Sequence, residues 1–176
     1  MQNGKKRIPW DYKTQECYGH KGLLDRDDWL SDPLAQGGTV AQIWEETKSG
    51  VDALLKKHGY TRKGGVYLCE NNRDDTLMLF CHFAIGMAIL AHLINVSPFP
   101  LWQSFLCPTS AVTTVATQER EKGTVEFRCV GLGDVSHLLR GNEIASLAGL
   151  FPECYNGVDS TDPAAWPCQP DIPLIR

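Results

Sequence analysis

The residue of this chain best placed for chemistry is His82, which follows an apolar run and precedes a helical pattern. The run, residues 76–81, is predicted to be a strand covered on both faces because its hydrophobicity is continuous rather than alternating. In open α/β sheets, ligands bind beyond the carboxyl ends of the strands, where the next helix offers free backbone N–H groups to an anion. The sequence therefore predicts a phosphate site at His82, with the N–H groups of Phe83 and Ala84 as further donors.

Other histidines and a cysteine are further candidates. His137 lies in a glycine-bounded segment, where it either approaches the same phosphate from a neighbouring strand end or packs as a loop histidine. His82 itself has a second interpretation, in which it caps a backbone carbonyl. His92 is assigned to packing or solvent. Cys81 is expected in the core, because adjacent strand residues point to opposite faces and its thiol would point away from His82.

The composition predicts one domain that acts on a small molecule. The chain has 176 residues, 43% hydrophobic and 22% charged, which suffices for one sizeable core. Its net charge of -4 offers no basic surface for nucleic acid or an anionic membrane. A phosphorylated small molecule is therefore the expected ligand. No cofactor or metal is expected, because the sequence has neither a phosphate-binding glycine loop nor clustered metal-ligand motifs.

The cysteines and the apolar runs of the sequence indicate the cellular compartment of the protein. Seven cysteines are scattered without a C-x-x-C pair, and an odd number suits a reducing compartment better than a disulfide framework. Most are expected to be small buried hydrophobic residues. No apolar run is long enough to span a bilayer, and the amino terminus has no apolar signal core. A cytoplasmic protein is the expectation.

The predicted fold class is α/β, with a mainly parallel sheet flanked by helices. Residues 1–37 have no lasting period and are expected to be an irregular connecting segment, while residues 156–176 are expected to be a loose tail. A helix is predicted from its cap at Thr39 to a stop at Gly59, and another directly after His82. Strands are predicted at residues 66–69, 76–81, 110–117 and 124–130, the last two forming a hairpin.

Three segments together resemble a known family. They are Phe80-Cys81-His82-Phe83 with its helix, the stretch from Pro108 to Thr114, and Gly133-Asp134-Val135-Ser136-His137-Leu138. In this order they resemble the carboxyl-terminal half of the histidine phosphatase superfamily, in the branch that includes cofactor-dependent phosphoglycerate mutases. The resemblance runs from about Ile8 to Glu153.

The resemblance implies an α/β/α sandwich and a phosphohistidine reaction. One histidine, in an Arg-His-Gly motif after the first strand, attacks the phosphoryl group, and a second histidine binds that group. His82 matches the second histidine. The expected function is therefore a phosphomonoester hydrolase or phosphoryl transferase. A non-catalytic phospholigand-binding or scaffolding relative is the alternative, and a cysteine hydrolase using Cys81 or Cys107 is a third.

The sequence departs from the family at its amino-terminal side. It contains no Arg-His-Gly, and Lys57-His58-Gly59 closes a helix instead of opening a phosphate pocket. The family's acid residue has no matching motif in this sequence either. Asp11 and Glu16 are possible substitutes, although no family motif surrounds them. We expect a domain incomplete at its amino terminus, either a fragment or a truncated relative. A missing N-terminal segment or a second chain is then expected to cover the open sheet.

Overall fold

The computed structural model describes residues 8–70 and 74–146, which form a mixed α/β structure. The helices are α1 (Thr14–Tyr18), α2 (Val40–Lys57), α3 (Phe83–Ile94), α4 (Pro98–Ser104) and α5 (Ser136–Arg140). The strands are β1 (Tyr60–Lys63), β2 (Val66–Cys69), β3 (Val112–Glu121) and β4 (Thr124–Asp134). Short 3-10 helices lie at Pro9–Asp11, Lys21–Leu24 and Trp29–Ser31.

The sheet is antiparallel and has the strand order β1-β2-β4-β3, so the expectation of a mainly parallel sheet was wrong. The two connections explain the difference. Gly64, with φ of 59°, lies in the turn between β1 and β2, and Gly123, with φ of 76°, lies in the turn between β3 and β4. A turn this short joins only antiparallel strands, whereas parallel strands need a long crossover. The predicted hairpin of β3 and β4 is confirmed.

Residues 76–81, called the apolar segment below, are the second correction. They belong to no strand of the described sheet, and they are exposed instead of covered on both faces. Phe80 is 93% exposed and Met78 78%. A continuous apolar run is buried only where neighbouring strands and helices cover it, and the two hairpins pair with each other instead.

Helices α2 and α3 are confirmed where the sequence placed them. Helix α2 begins after Thr39, although the Thr39 side chain makes no cap hydrogen bond, and it is followed by Gly59 at φ of 89°. One core cluster joins α2, α3, β1, β2 and β4; its buried members are Val51, Leu55, Tyr60, Tyr67, Cys69, Leu93 and Val125. Burying apolar side chains of this size stabilises the fold by about 1.5–3 kcal/mol each.

The chain divides into two compact units. The first comprises Met1–Phe105 with Thr114–Val130, and the second comprises Leu106–Thr113 with Gly131–Arg176. Within the second unit, Gly133 has φ of 72°, and a Cβ there would lie 3.3 Å from the carbonyl oxygen of Leu106. A close approach of the two backbones therefore requires glycine at this position.

The predicted connecting segment, residues 1–37, contributes to the core of the first unit where it is described. Trp29 is 1% exposed and its ring lies 5.6 to 5.8 Å from the rings of Trp44, Phe99 and Trp102. The segment has no regular period because its helices are single turns, yet it fills the space between α2 and α4. Residues 1–7 and the predicted loose tail, 156–176, lie outside the described residues.

Candidate functional site

His82 is the N-cap residue of α3. Its backbone is extended, with φ of -73° and ψ of 157°, and its carbonyl oxygen accepts the first helical hydrogen bond from the Gly86 N–H at 3.0 Å. Its side chain makes no cap hydrogen bond, and the residue is exposed. The imidazole is therefore free to contact a ligand in solvent, and it does not cap a backbone group of its own helix.

The first turn of α3 offers further donors beside His82. In any α-helix, the first N–H groups have no intrahelical acceptor, and here they belong to Phe83, Ala84 and Ile85. The Ala84 carbonyl accepts a hydrogen bond of 2.9 Å from Nε1 of Trp102, which fixes this turn against α4. The start of α3 thus combines an exposed imidazole at the N-cap, several N–H groups and the positive end of a helix dipole, a combination that favours an anion.

The chain reaches His82 through the apolar segment, whose start is tied to the end of α2. Nδ1 of His58 lies 2.7 Å from Oδ2 of Asp75, directly before the segment begins. His58 is also the C-cap residue of α2, so the interpretation that it closes a helix is confirmed.

Cys81, expected in the core, is exposed. The sulfur itself lies against α3, since a Cβ placed on Gly86 would come within 3.5 Å of it. Partial burial raises the pKa of the Cys81 thiol, which lowers the fraction of reactive thiolate at neutral pH. This environment argues against Cys81 as the nucleophile of a cysteine hydrolase, and the same role for Cys107 stays a prediction. The wider expectation of buried cysteines holds for Cys69, whereas Cys129 is exposed.

His137, the other predicted phosphate ligand, lies in α5 of the second unit and is exposed. Asp134 organises the entry into this five-residue helix, because its carboxylate accepts hydrogen bonds from the Ser136 N–H at 2.8 Å and hydroxyl at 3.1 Å. These bonds hold the pKa of Asp134 below its usual value. The participation of His137 in a site with His82 stays a prediction.

A second polar cluster, which the sequence did not indicate, lies within the first unit. Oδ1 of Asp52 on α2 lies 2.6 Å from the Tyr67 hydroxyl on β2 and 2.9 Å from Nε2 of His92 on α3. Arg62 on β1 donates to the Tyr67 hydroxyl at 2.9 Å and to Oδ1 of Asn95 at 2.7 Å. These five residues are called the Asp52 network below.

The Asp52 network joins two helices to the first hairpin. His92 and Tyr67 are 6% and 1% exposed, so their polar atoms depend on partners inside the protein. A carboxylate only accepts hydrogen bonds, so Nε2 of His92 carries the proton and donates a hydrogen bond to Asp52. Burial, with help from the Asp52 hydrogen bond, raises the pKa of Tyr67 well above its usual range. The phenol stays neutral, and the network's evident role is structural.

The buried His92 predicts a loss of stability in acid. Desolvation lowers its pKa below 6.5, an effect that Arg62 and Lys48 reinforce and Asp52 opposes. Below pH 6.5 the unfolded chain therefore binds a proton before the folded chain does, and the free energy of unfolding falls until the folded-state pKa is passed. Above pH 6.5 this contribution is fully present.

Urea unfolding between neutral and mildly acidic pH measures this effect. We expect the His92→Gln variant to be less stable at neutral pH and to lose less stability than the parent chain as the pH falls. Equal pH slopes in the two chains would contradict the assignment. His137→Gln is the matched control, since His137 is exposed and its removal should leave the slope unchanged.

The remaining candidates have local structural partners. Nδ1 of His20 lies 2.8 Å from Oδ1 of the buried Asp32. Asp11 accepts a hydrogen bond from the Ile8 N–H at 3.3 Å, and Glu16 accepts one from the Lys13 N–H at 2.8 Å. Both carboxylates cap short helices, so their geometry gives no support to the acid role suggested for them.

Searches against protein-family models, curated proteins and solved structures find no match. Among the described residues, no helix has the length and hydrophobicity needed to cross a membrane. Within the same residues, no group of three or more histidine, cysteine or acidic side chains is arranged to hold a metal ion.

Proposed function

We propose that this chain binds the phosphoryl group of a phosphomonoester at the start of α3, as the phosphate-binding part of a phosphohistidine-type hydrolase or transferase. The observation that supports the proposal best is the position of His82, an exposed N-cap imidazole beside the free N–H groups of Phe83 and Ala84. The resemblance of its flanking residues to the second histidine of the histidine phosphatases supports it independently.

The chemistry assigned to His82 is binding and charge stabilisation, not attack. In the proposed reaction a separate histidine nitrogen forms a bond to phosphorus while the alcohol oxygen leaves, and water or a second acceptor then takes the phosphoryl group. His82 donates a hydrogen bond to a phosphoryl oxygen throughout, and the helix N–H groups share the charge. The attacking histidine would come from an Arg-His-Gly segment, which these 176 residues do not contain.

The lack of an Arg-His-Gly segment in these 176 residues favours a second candidate function. A chain that keeps a phosphate-binding helix start without an attacking histidine can bind phosphorylated ligands, or act as a scaffold, without turning them over. The two candidates share the site at His82 and differ only in catalysis. They are therefore separated by an activity measurement and not by a binding measurement.

Binding is tested by titrating the chain with inorganic phosphate and following the His82 ring signals by NMR. We expect saturable shifts at His82 and at the N–H groups of Phe83 and Ala84, and about tenfold weaker binding in His82→Ala, which corresponds to about 1.4 kcal/mol. His137→Ala tests the other predicted ligand. Lys122→Ala, which removes an exposed cation from the β3–β4 turn, should bind phosphate as the parent does. Unchanged affinity in His82→Ala would refute the site.

Catalysis is tested with a generic aryl phosphate. The chain is assayed alone and as a longer chain that carries an Arg-His-Gly segment ahead of residue 1. Turnover only by the longer chain, abolished by His82→Ala, supports the phosphohistidine enzyme. Phosphate binding without turnover in either chain supports the non-catalytic alternative. Turnover by the short chain that survives His82→Ala contradicts both assignments.

A further inference from the structure

The apolar segment is an exposed hydrophobic feature of the first unit that the proposed function does not use. From Leu77 to Phe80 the residues are 38%, 78%, 51% and 93% exposed. Single exposed apolar residues are normal, but four in succession mark a surface that associates with something.

The backbone of this segment has no neighbouring strand. In the described part of the chain, the N–H and C=O groups of residues 76–81 make no backbone hydrogen bond. Exposure alternates along it, because Met78 and Phe80 are more exposed than Leu77 and Leu79. Leu79, Phe80 and Cys81 line a groove of about 280 Å³ between α2 and α3. Period-two alternation and free backbone groups are the properties of an edge strand, which is a template for another strand.

We propose that the occupant is a second copy of this chain, paired antiparallel through the apolar segment. The charges at its ends select this arrangement. Asp74 and Asp75 precede the segment, His82 follows it, and residues 76–81 themselves carry no charged side chain. Antiparallel pairing sets Asp74 of one copy against His82 of the other. Parallel pairing would set Asp74 against Asp74 and His82 against His82, which is unfavourable.

Symmetry restricts the register, and the pairing of Asp74 with His82 then selects it. Residues directly opposite in an antiparallel pair point to the same face, so a two-fold axis perpendicular to the strands must pass beside one residue paired with itself. Placing that axis at Met78 sets Asp74 opposite His82 and Thr76 opposite Phe80. It also sets Leu77 of one copy opposite Leu79 of the other. A weak dimer is expected, because one strand pair buries less area than a standard interface.

Sedimentation of the full chain in phosphate-free buffer tests the proposal. We expect a reversible dimer, and at least a tenfold larger dissociation constant in Met78→Lys, whose charges would meet on the axis. Val130→Lys is the matched control, because Val130 is 65% exposed on β4 and lies outside the segment. The proposal is overturned if the parent stays monomeric up to about 1 mM, where even a 4 kcal/mol contact is half-populated. A dissociation constant that Met78→Lys leaves unchanged overturns it as well.

The register has its own test. Cysteines directly opposite each other in an antiparallel pair are within disulfide range, so Met78→Cys should give a covalent dimer under mild oxidation. The parent and Val130→Cys should not form this product. Asp74→Lys and His82→Asp should each weaken the dimer, and the double variant should restore it. No restoration, or uptake of an added extended peptide in place of a second copy, counts against self-pairing.

This inference does not rest on the proposed function, and the two fail separately. Phosphate binding is measured on dilute chain, where the monomer predominates, while dimerisation is measured without phosphate. Because Asp74 of the second copy would meet His82, added phosphate should weaken the dimer if both proposals hold.

Discussion

Replacing Trp29 by alanine is expected to lower the free energy of unfolding by about 3–5 kcal/mol. Trp29 is 1% exposed, and its ring makes edge contacts with Trp44, Phe99 and Trp102. The change removes the central member of this aromatic cluster and leaves a cavity between α2, α4 and the amino-terminal segment. Because a domain of this size is stable by only about 5–15 kcal/mol, the loss is a large share of the total.

Urea unfolding followed by circular dichroism measures the effect of Trp29→Ala. The matched control is Leu24→Ala on the same segment, since Leu24 is 68% exposed and should change stability by no more than about 0.5 kcal/mol. Similar costs for the two variants would mean that the segment is not packed as described. If Trp29→Ala does not fold at all, Trp29→Phe, which keeps part of the ring contact, gives a measurable intermediate loss.

Replacing Asp52 by alanine should cost about 2–4 kcal/mol, because it leaves two buried donors without an acceptor. These donors are the Tyr67 hydroxyl and Nε2 of His92, which lie 2.6 and 2.9 Å from the same carboxylate oxygen. Arg62 still donates to the Tyr67 oxygen, but it cannot accept the phenolic proton. The cost therefore exceeds that of an ordinary surface substitution even though Asp52 is itself partly exposed.

Thermal and urea unfolding compare Asp52→Ala with Glu46→Ala, an exposed carboxylate on the same helix. Glu46→Ala should stay within about 0.5 kcal/mol of the parent. A double-mutant cycle with Tyr67→Phe isolates the pair, and the double variant should lose less than the sum of the single losses. Additive losses would show that the hydrogen bond contributes nothing beyond packing.

The elements that the sequence predicted well are those with a complete local signal. Helix α2 has an apolar stripe and a glycine stop, and the hairpin of β3 and β4 has β-branched runs joined by a short turn with Gly123. No such signal indicated whether the strands of the sheet run parallel or antiparallel. Continuous hydrophobicity in the apolar segment predicts burial, but it does not say which strand supplies the partner or whether that partner lies in the described chain.

The site was predictable only in part. The position of His82 before a helix follows from the pattern around it, whereas its exposure does not. The Asp52 network has members on four different elements, and no spacing rule connects Asp52 with His92. One signal was available: with a turn at Gly64 and Gly65, Arg62 falls opposite Tyr67, as the structure has it. Identifying β1 from the sequence would have revealed that pair.

The strand order has a consequence for how the chain reaches this structure. Each hairpin closes through a turn of neighbouring residues, but Tyr67 pairs with Val125 only after α3, α4 and β3 have been synthesised between them. Non-local pairing of this kind raises the contact order. Closing the intervening loop lowers the entropy of the chain before the new contacts stabilise the fold. We therefore expect the two hairpins to form early and their docking to be the slow step of folding.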